Sequence, residues 1–221
     1  MLPNIKYTIG SALLFIAATH SLATENTIMV GNFSTGDLSH WEPEKFTGKT
    51  ATRYSLVEAN GIYALRAESH QSASGLVRKI NIDLSKTPYL NWSWRVDQGL
   101  ENTNEQNKSG DDFTARIYIV ISGGLAFWRT RALNYVWASH TARYSRWANP
   151  FAGENVIMMA LRTGTKDNNI WQQEKRNLKA DLKAAFGETI TTIDAIALMT
   201  DTDNTGTSVT AYYGNIFFSA Q

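Results

Sequence analysis

Residues 89–97 read YLNWSWRVD. On an extended chain, Leu90, Trp92, Trp94 and Val96 fall on one face, and Asn91, Ser93, Arg95 and Asp97 fall on the other. This period of two predicts a strand with one face against a core. Residues 113–122, FTARIYIVIS, follow the same rule. Ala115, Ile117, Ile119 and Ile121 share a side opposite Arg116, Tyr118, Val120 and Ser122. Further strands are predicted at Ile28–Asn32, Arg53–Glu58, Ile62–Glu68, Gly75–Ile80, Leu133–Ala138, Val156–Thr163, Thr192–Thr200 and Ser208–Phe218, punctuated by EANG, TGTKDNN and DTDNTG.

One segment reads as a helix. Asn169 stands at the cap with Gln172 in the capping-box position, and Trp171, Leu178, Leu182, Ala185 and Phe186 form an apolar stripe before Gly187. About ten strands and one helix predict an all-β fold, a jelly-roll-type β-sandwich with one packed amphipathic helix. No repeat or linker divides the chain, so 24–221 is expected to be a single domain. Gln98–Asp112 is a polar loop, long enough to be functional or mobile.

The N-terminus reads as a secretory signal over 1–23. Lys6 precedes the apolar TIGSALLFIAAT, and Ser21–Ala23 supply small residues for cleavage. That run is shorter than the roughly 18 apolar residues of a spanning helix. A periplasmic or secreted location without a transmembrane segment follows as an expectation. The chain has no cysteine, so stability must come from the core. Removing Lys6 lowers the 21 Lys and Arg to 20, against 20 Asp and Glu. The balance is uneven along the chain. Between Phe113 and Gly153 there is no acid, while Arg116, Arg129, Arg131, Arg143 and Arg146 lie there. Such a basic stretch either steers an anionic partner or pairs with acids folded over it.

Four groups of residues carry candidate chemistry. In MTDTDNTG, Asp201, Asp203 and Asn204 place oxygens densely before Gly206, like the first half of a calcium loop. Tyr212 stands where an EF-hand needs glutamate, and the flanks are strands, so an EF-hand is rejected. A sandwich-type structural calcium, a ligand-contacting loop, and a hairpin turn with Gly206 at positive φ remain the readings. In GDDFTAR, adjacent Asp111 and Asp112 point apart on a strand and make no glycosidase pair by themselves. One of them is expected to pair with Arg116 or to reach the DTDN loop, and Asp112, if in the strand, shares a face with Arg116 and Tyr118.

Strand-borne arginines form the third group: Arg66, Arg78, Arg95, Arg116 and Arg162. On a concave sheet face, Arg95 and Arg116 offer planar forks for carboxylate or sulfate, with Tyr118 and Asn134 beside them. Tyrosine as proton carrier with Arg and Asn neutralising a uronate is the equipment of a polysaccharide lyase. The bland reading is a solvated face of ion pairs. The fourth group is the aromatic–arginine segment Trp128–Phe151. There Tyr135 and Trp137 read as core, and Arg143 and Trp147 as a loop able to stack on sugars. Export argues against a nucleic-acid partner. No G-x-S-x-G elbow, cysteine nucleophile, zinc-spaced histidines or phosphate-cradling glycine loop is present.

Several pieces occur in order: SASGLVRKI, PYLNWSWRVD, GDDFTARIYIVI, LNYVWAS, EKRNLKADLKAAFG and AIALMTDTDNTG…AYYGNIFF. Together they resemble a bacterial family of secreted proteins known as domain of unknown function 3047, from about Phe33 to Phe218. Gly110–Arg116 and Met199–Gly206 carry the likeness most specifically, and the Trp128–Phe151 insert departs from it. The resemblance implies a bacterial envelope setting and no activity. FSTGDLSHW, residues 33–41, is also similar to the opening of carbohydrate-binding sandwich modules.

The leading expectation is a non-catalytic protein that binds a carbohydrate, acidic in character, through Arg95, Asp112, Arg116, Tyr118, Asn134, Arg143 and Trp147. A lyase or glycoside hydrolase using Tyr118, Arg95, Arg116 and Asn134 is the alternative. It requires those four to converge in one open groove. A structural or assembly partner in the envelope is the third.

Overall fold

A computed structural model describes residues 27–221 except 60, 102–103 and 127–128. The predicted signal and Trp128 lie outside the described residues. The chain runs β1 (Thr27–Gly31), β2 (Glu42–Lys45), β3 (Arg53–Ala59), β4 (Ile62–His70), β5 (Ser74–Asp83) and β6 (Tyr89–Val96). It continues through β7 (Arg116–Ile121), β8 (Arg131–Ala138), β9 (Arg146–Asn149), β10 (Gly153–Thr163) and β11 (Gln172–Asn177). The helix α1 (Leu178–Phe186) then precedes β12 (Thr192–Met199) and β13 (Ser208–Ser219). A six-stranded sheet is ordered β11-β6-β13-β4-β3, with β1 also on β13, and a seven-stranded sheet is ordered β2-β5-β12-β7-β8-β10-β9. The fold is a jelly-roll-type β-sandwich with one packed helix, as the alternation predicted.

The core lies between the inner faces. Leu90, Trp92, Trp94 and Val96 of β6 are buried there, as are Ile117 and Ile119 of β7. Trp92 stacks on Tyr135 with centroids 5.4 Å apart, and Trp94 meets Trp137 edge-on at 5.9 Å. Each such pair adds about 1 kcal/mol beyond the area it buries. Tyr135 and Trp137 are thus core, as read from their spacing.

The helix begins later than predicted. Residues 172–177 are a strand, paired with β6 from Gln172 opposite Trp94 to Asn177 opposite Tyr89. Glu174 explains the preference. Its carboxylate is buried and accepts from Trp94 Nε1 at 3.3 Å and Arg162 Nε at 2.5 Å. A helix from Asn169 would lose both contacts and leave one edge of β6 unpaired, the other being held by β13. Asn177 is the actual cap, accepting from the Ala180 N–H at 3.2 Å. Gly187 ends the helix in the left-handed region, φ 76°, as expected.

The outer face of the seven-stranded sheet is ordered in cross-strand rows. One row runs Val77, Ala197, Tyr118, Asn134, Met158, Trp147. The next runs Gly75, Met199, Arg116, Val136, Ala160. The β8–β10–β9 half of this face is covered: Phe113, Val136, Ala138, Met158 and Ala160 form a second apolar cluster with Trp147 and Val156 against it. The β5–β12–β7 half stays open.

Candidate ligand-binding cleft

The open half is a cleft of about 550 Å³. Its lining includes the floor side chains Val77, Val120, Ala197, Met199 and Tyr118. Phe46 and Lys49, which follow β2, lie on one side, and Asn149, Phe151 and Ala152 lie on the other. Phe46 and Phe151 are 41% and 58% exposed at the mouth, and Lys108 Nζ stands over the Phe151 ring, 5.4 Å from its centroid. The size is that of small-ligand sites, which run from about 300 to 1,000 Å³.

One end of the cleft is closed by a buried ionic network. Arg116, 2% exposed, makes a two-point contact with Asp201: Nε donates to Oδ1 at 2.8 Å, and Nη2 donates to Oδ2. Arg116 Nη1 also reaches Asp111 Oδ1 at 3.4 Å and the Tyr118 hydroxyl at 3.2 Å. Asn149 Nδ2 donates to the other Asp111 oxygen at 2.8 Å. Burial works against the Arg116 charge, yet Asp201, Tyr118 and Asp111 outweigh it and hold its pKa well above the ordinary value. Burial raises Asp201 to about 8 while Arg116 pulls it down, and burial likewise raises Asp111. Tyr118 is pushed up to about 12, first by burial. The basic stretch therefore finds acids folded over it at this point.

The two Asp-rich motifs meet. Asp112 accepts from the N–H of Asn204 at 3.1 Å, from the N–H of Thr205 at 2.6 Å and from Asn204 Nδ2 at 3.1 Å. Asp111 pairs with Arg116, and Asp112 reaches the DTDN loop. Asp112 lies before β7 and does not share that strand's face with Arg116. The DTDN loop is not a hairpin turn either, because β12 and β13 belong to different sheets. Gly206 does take positive φ, 67°. Asp201 bonds the Phe113 N–H at 3.2 Å and Arg116 rather than its own loop backbone. Asp203 meets Lys49 Nζ at 2.5 Å.

Oxygens of Asp112, Asp201 and Asp203 lie within 4.8 Å of one another. A calcium ion would take about six to eight oxygens. Here guanidinium, ammonium and N–H donors already occupy the carboxylates, and Asn204 turns its amide nitrogen, a donor, toward Asp112. The residues present fit a closed hydrogen-bonded joint better than a cation site.

The four residues of the lyase constellation do not converge. Arg95 sits on β6 of the six-stranded sheet, 8% exposed, against the Tyr212 ring at 4.8 Å, with Nη2 on Asp97 at 2.6 Å. Arg116, Tyr118 and Asn134 are on the other sheet, and Asn134 is fully buried beside Met158. Nor are the strand arginines open forks. Arg162 is held by Glu174, Arg66 by Glu68, and Arg78 by the Val30 carbonyl. Alternation placed Arg95 and Arg116 opposite the apolar faces of their strands without showing what covers them, whereas Arg78 lies on the same face of β5 as the core residues Leu76 and Ile82.

Arg143 and Trp147 are likewise outside the cleft. Arg143 Nε anchors on the Leu161 carbonyl at 2.8 Å, and Trp147 belongs to β9 and packs on Phe113 at 6.2 Å between centroids. Of the residues picked from sequence, Asp111, Arg116, Tyr118, Asp201, Asp203 and Asn204 line the cleft. Phe46, Lys49, Val77 and Ala197 were missed. Phe46 and Lys49 stand in the polar stretch EPEKFTGK, which carries no periodic signal.

No helix among the described residues is long and apolar enough to cross a membrane. No curated protein matches the chain. Among solved structures it is similar to a family 11 carbohydrate-binding module of a cellulosomal cellulase of Clostridium thermocellum. That match has 9% identity and TM-score 0.46, covering 91% of this chain and 97% of that one. It is also similar to a thermostable cellulase derived from that of Rhodothermus marinus, with 9% identity and TM-score 0.48, covering 88% and 100%. A further likeness is to a module, TmCBM61, solved with β-1,4-galactotriose, with 13% identity and TM-score 0.40, covering 86% and 94%. Residues 39–217 match the family described as "Protein of unknown function (DUF3047)", and the chain belongs to that family.

Proposed function

We propose that this is an exported, periplasmic or secreted, non-catalytic binding protein that holds a carbohydrate at the cleft of the seven-stranded sheet. The observation that carries the reading is the open cleft flanked by two exposed phenylalanines, Phe46 and Phe151, of which Phe151 holds Lys108 over one ring face. Sugar rings present C–H faces that pack on such rings, and their hydroxyls can meet Glu44, Lys49 and Asn204, which also line the cleft. Three of the four acids bordering the cleft support binding over catalysis, and the fourth, Glu44, stands exposed without a second free carboxylate beside it. Asp111 and Asp201 are spent on Arg116, and Asp203 is spent on Lys49. A general acid or base needs a free proton-transfer position within reach of substrate.

Retardation in gels cast with neutral or acidic polysaccharides tests the reading. Phe46→Ala and Phe151→Ala are expected to weaken the retardation without lowering the melting temperature. Absence of retardation by every polysaccharide tried rejects it.

A further inference from the structure

The interior of the cleft is hydrocarbon, and its few polar groups are already satisfied. The Tyr118 hydroxyl accepts from Arg116 at 3.2 Å and lies 3.8 Å from Met199 Sδ. Asn149 gives Nδ2 to Asp111, and its Oδ1 accepts the N–H groups of Phe151 and Ala152, each at 3.0 Å. Asp111 and Asp201 both accept from Arg116. The rest of the floor is Val77, Val120, Ala197 and Met199. A hydroxyl placed there leaves water and finds no free partner, whereas a methylene gains from burial. Ionic and amide groups stand beside this floor: Glu44, Lys49, Asp203 and Asn204. The surface is therefore amphipathic, apolar within and polar at one side.

We infer that the cleft seats a hydrocarbon chain, the alkyl or acyl substituent of a glycoconjugate, with its sugar at the rim beside Lys49 and Asn204. The sugar half rests on the carbohydrate reading above; the chain half rests on the floor alone.

Titration of the full protein with alkyl glucosides of increasing chain length, below their micelle concentrations, tests this by calorimetry. Affinity is expected to rise about threefold to fourfold per added methylene until the floor is covered. Ala197→Phe, which projects a ring from the floor, is expected to lower it more than tenfold. Val77→Thr and Val120→Thr keep shape but add a hydroxyl, and each is expected to lower it several-fold if Ala197→Phe fails to fold. Affinity independent of chain length overturns the inference. Free oligosaccharide binding as tightly as the longest glucoside also overturns it, while leaving the carbohydrate reading standing. Alkyl sulfates binding as tightly as alkyl glucosides uphold the chain seat and reject the carbohydrate reading. A ligand-free dimer that Ala197→Phe dissolves would assign the floor to a second copy of the chain and overturn the inference.

Discussion

Arg116 and Asp201, 85 positions apart in the chain, share a two-point contact with side chains 2% and 1% exposed. The contact ties the start of β7 to the exit of β12, and the Tyr213 hydroxyl joins it from the opposite sheet by accepting the Arg116 N–H at 3.2 Å and donating to the Met199 carbonyl at 2.7 Å. Removing Asp201 leaves a guanidinium charged and buried, and removing Arg116 leaves Asp201 buried without its donors. Arg116→Met is expected to destabilise the fold by about 3–5 kcal/mol, read by urea denaturation. Arg116→Met combined with Asp201→Leu should cost clearly less than the two single changes added together. Additive costs would mean that the two residues act separately.

The clamp of Asp112 on Asn204 and Thr205 leads to a second expectation. Asp112 is fully buried and spends both oxygens on three donor groups. Asp112→Ala leaves the Asn204 and Thr205 N–H groups without their acceptor, at about 2 kcal/mol or more. Hydrogen exchange of residues 201–206 should speed up more than that of the β6 core. Uniform acceleration would show that the change acts on the whole fold.

Calcium is expected to leave the melting temperature unchanged, and a chelator likewise. The donors around Asp112, Asp201 and Asp203 already stand where a cation would coordinate. A specific ion at 100 times its dissociation constant would stabilise by about 2.7 kcal/mol, a shift melting would detect. Such a shift would establish a metal site at this joint.

Alkaline pH bears on Tyr135 and Tyr213, fully buried, and on the half-buried Tyr54 and Tyr118. Burial raises Tyr118 to about 12 and lifts Tyr54, Tyr135 and Tyr213 above the ordinary value. A folded-state pKa above the unfolded one means that the folded chain keeps a proton the unfolded chain has lost. This contribution to stability is complete below about pH 10 and is lost as pH rises toward 12. Exposed tyrosines such as Tyr63 and Tyr144 ionise without unfolding, and the remaining tyrosinate absorbance should climb late, together with loss of the tryptophan near-ultraviolet circular dichroism. Full tyrosinate signal in a chain that keeps its circular dichroism would contradict the burial.

The true helix cap can be told from the predicted one. Asn177→Ala should cost about 1 kcal/mol and Asn177→Gly only a few tenths. Asn169 lies at φ 62° in the loop before β11, where its Nδ2 reaches the Asp97 carbonyl at 3.1 Å. Asn169→Gly accepts that φ without strain and should show no loss of helix by far-ultraviolet circular dichroism. A drop in helicity with Asn169→Gly would restore the earlier start.

Every strand with apolar alternation was legible in the chain, including the inward set Leu90, Trp92, Trp94 and Val96. Side-chain direction along a strand is a local property of period two. The three strands that escaped, EPEK, RWAN and QQEKRN, are edge strands. An edge is held by backbone pairing on one side and keeps polar side chains, so it leaves no periodic mark. The Asp-rich motifs around Asp112 and Asp201 were also legible as unusual. Their union stood among the expectations, but 92 residues separate Asp112 from Asn204, and only the sandwich decides that Asp112 takes the loop while Asp111 takes Arg116. Alternation likewise fixes which way Arg95, Arg116 and Tyr118 point but carries nothing about what covers that side. Packing against Tyr212, Asp201 and Asp111 turned the arginines into buried ties. The same packing left Val77, Ala197 and Val120, unremarkable in the chain, as the open floor of the cleft.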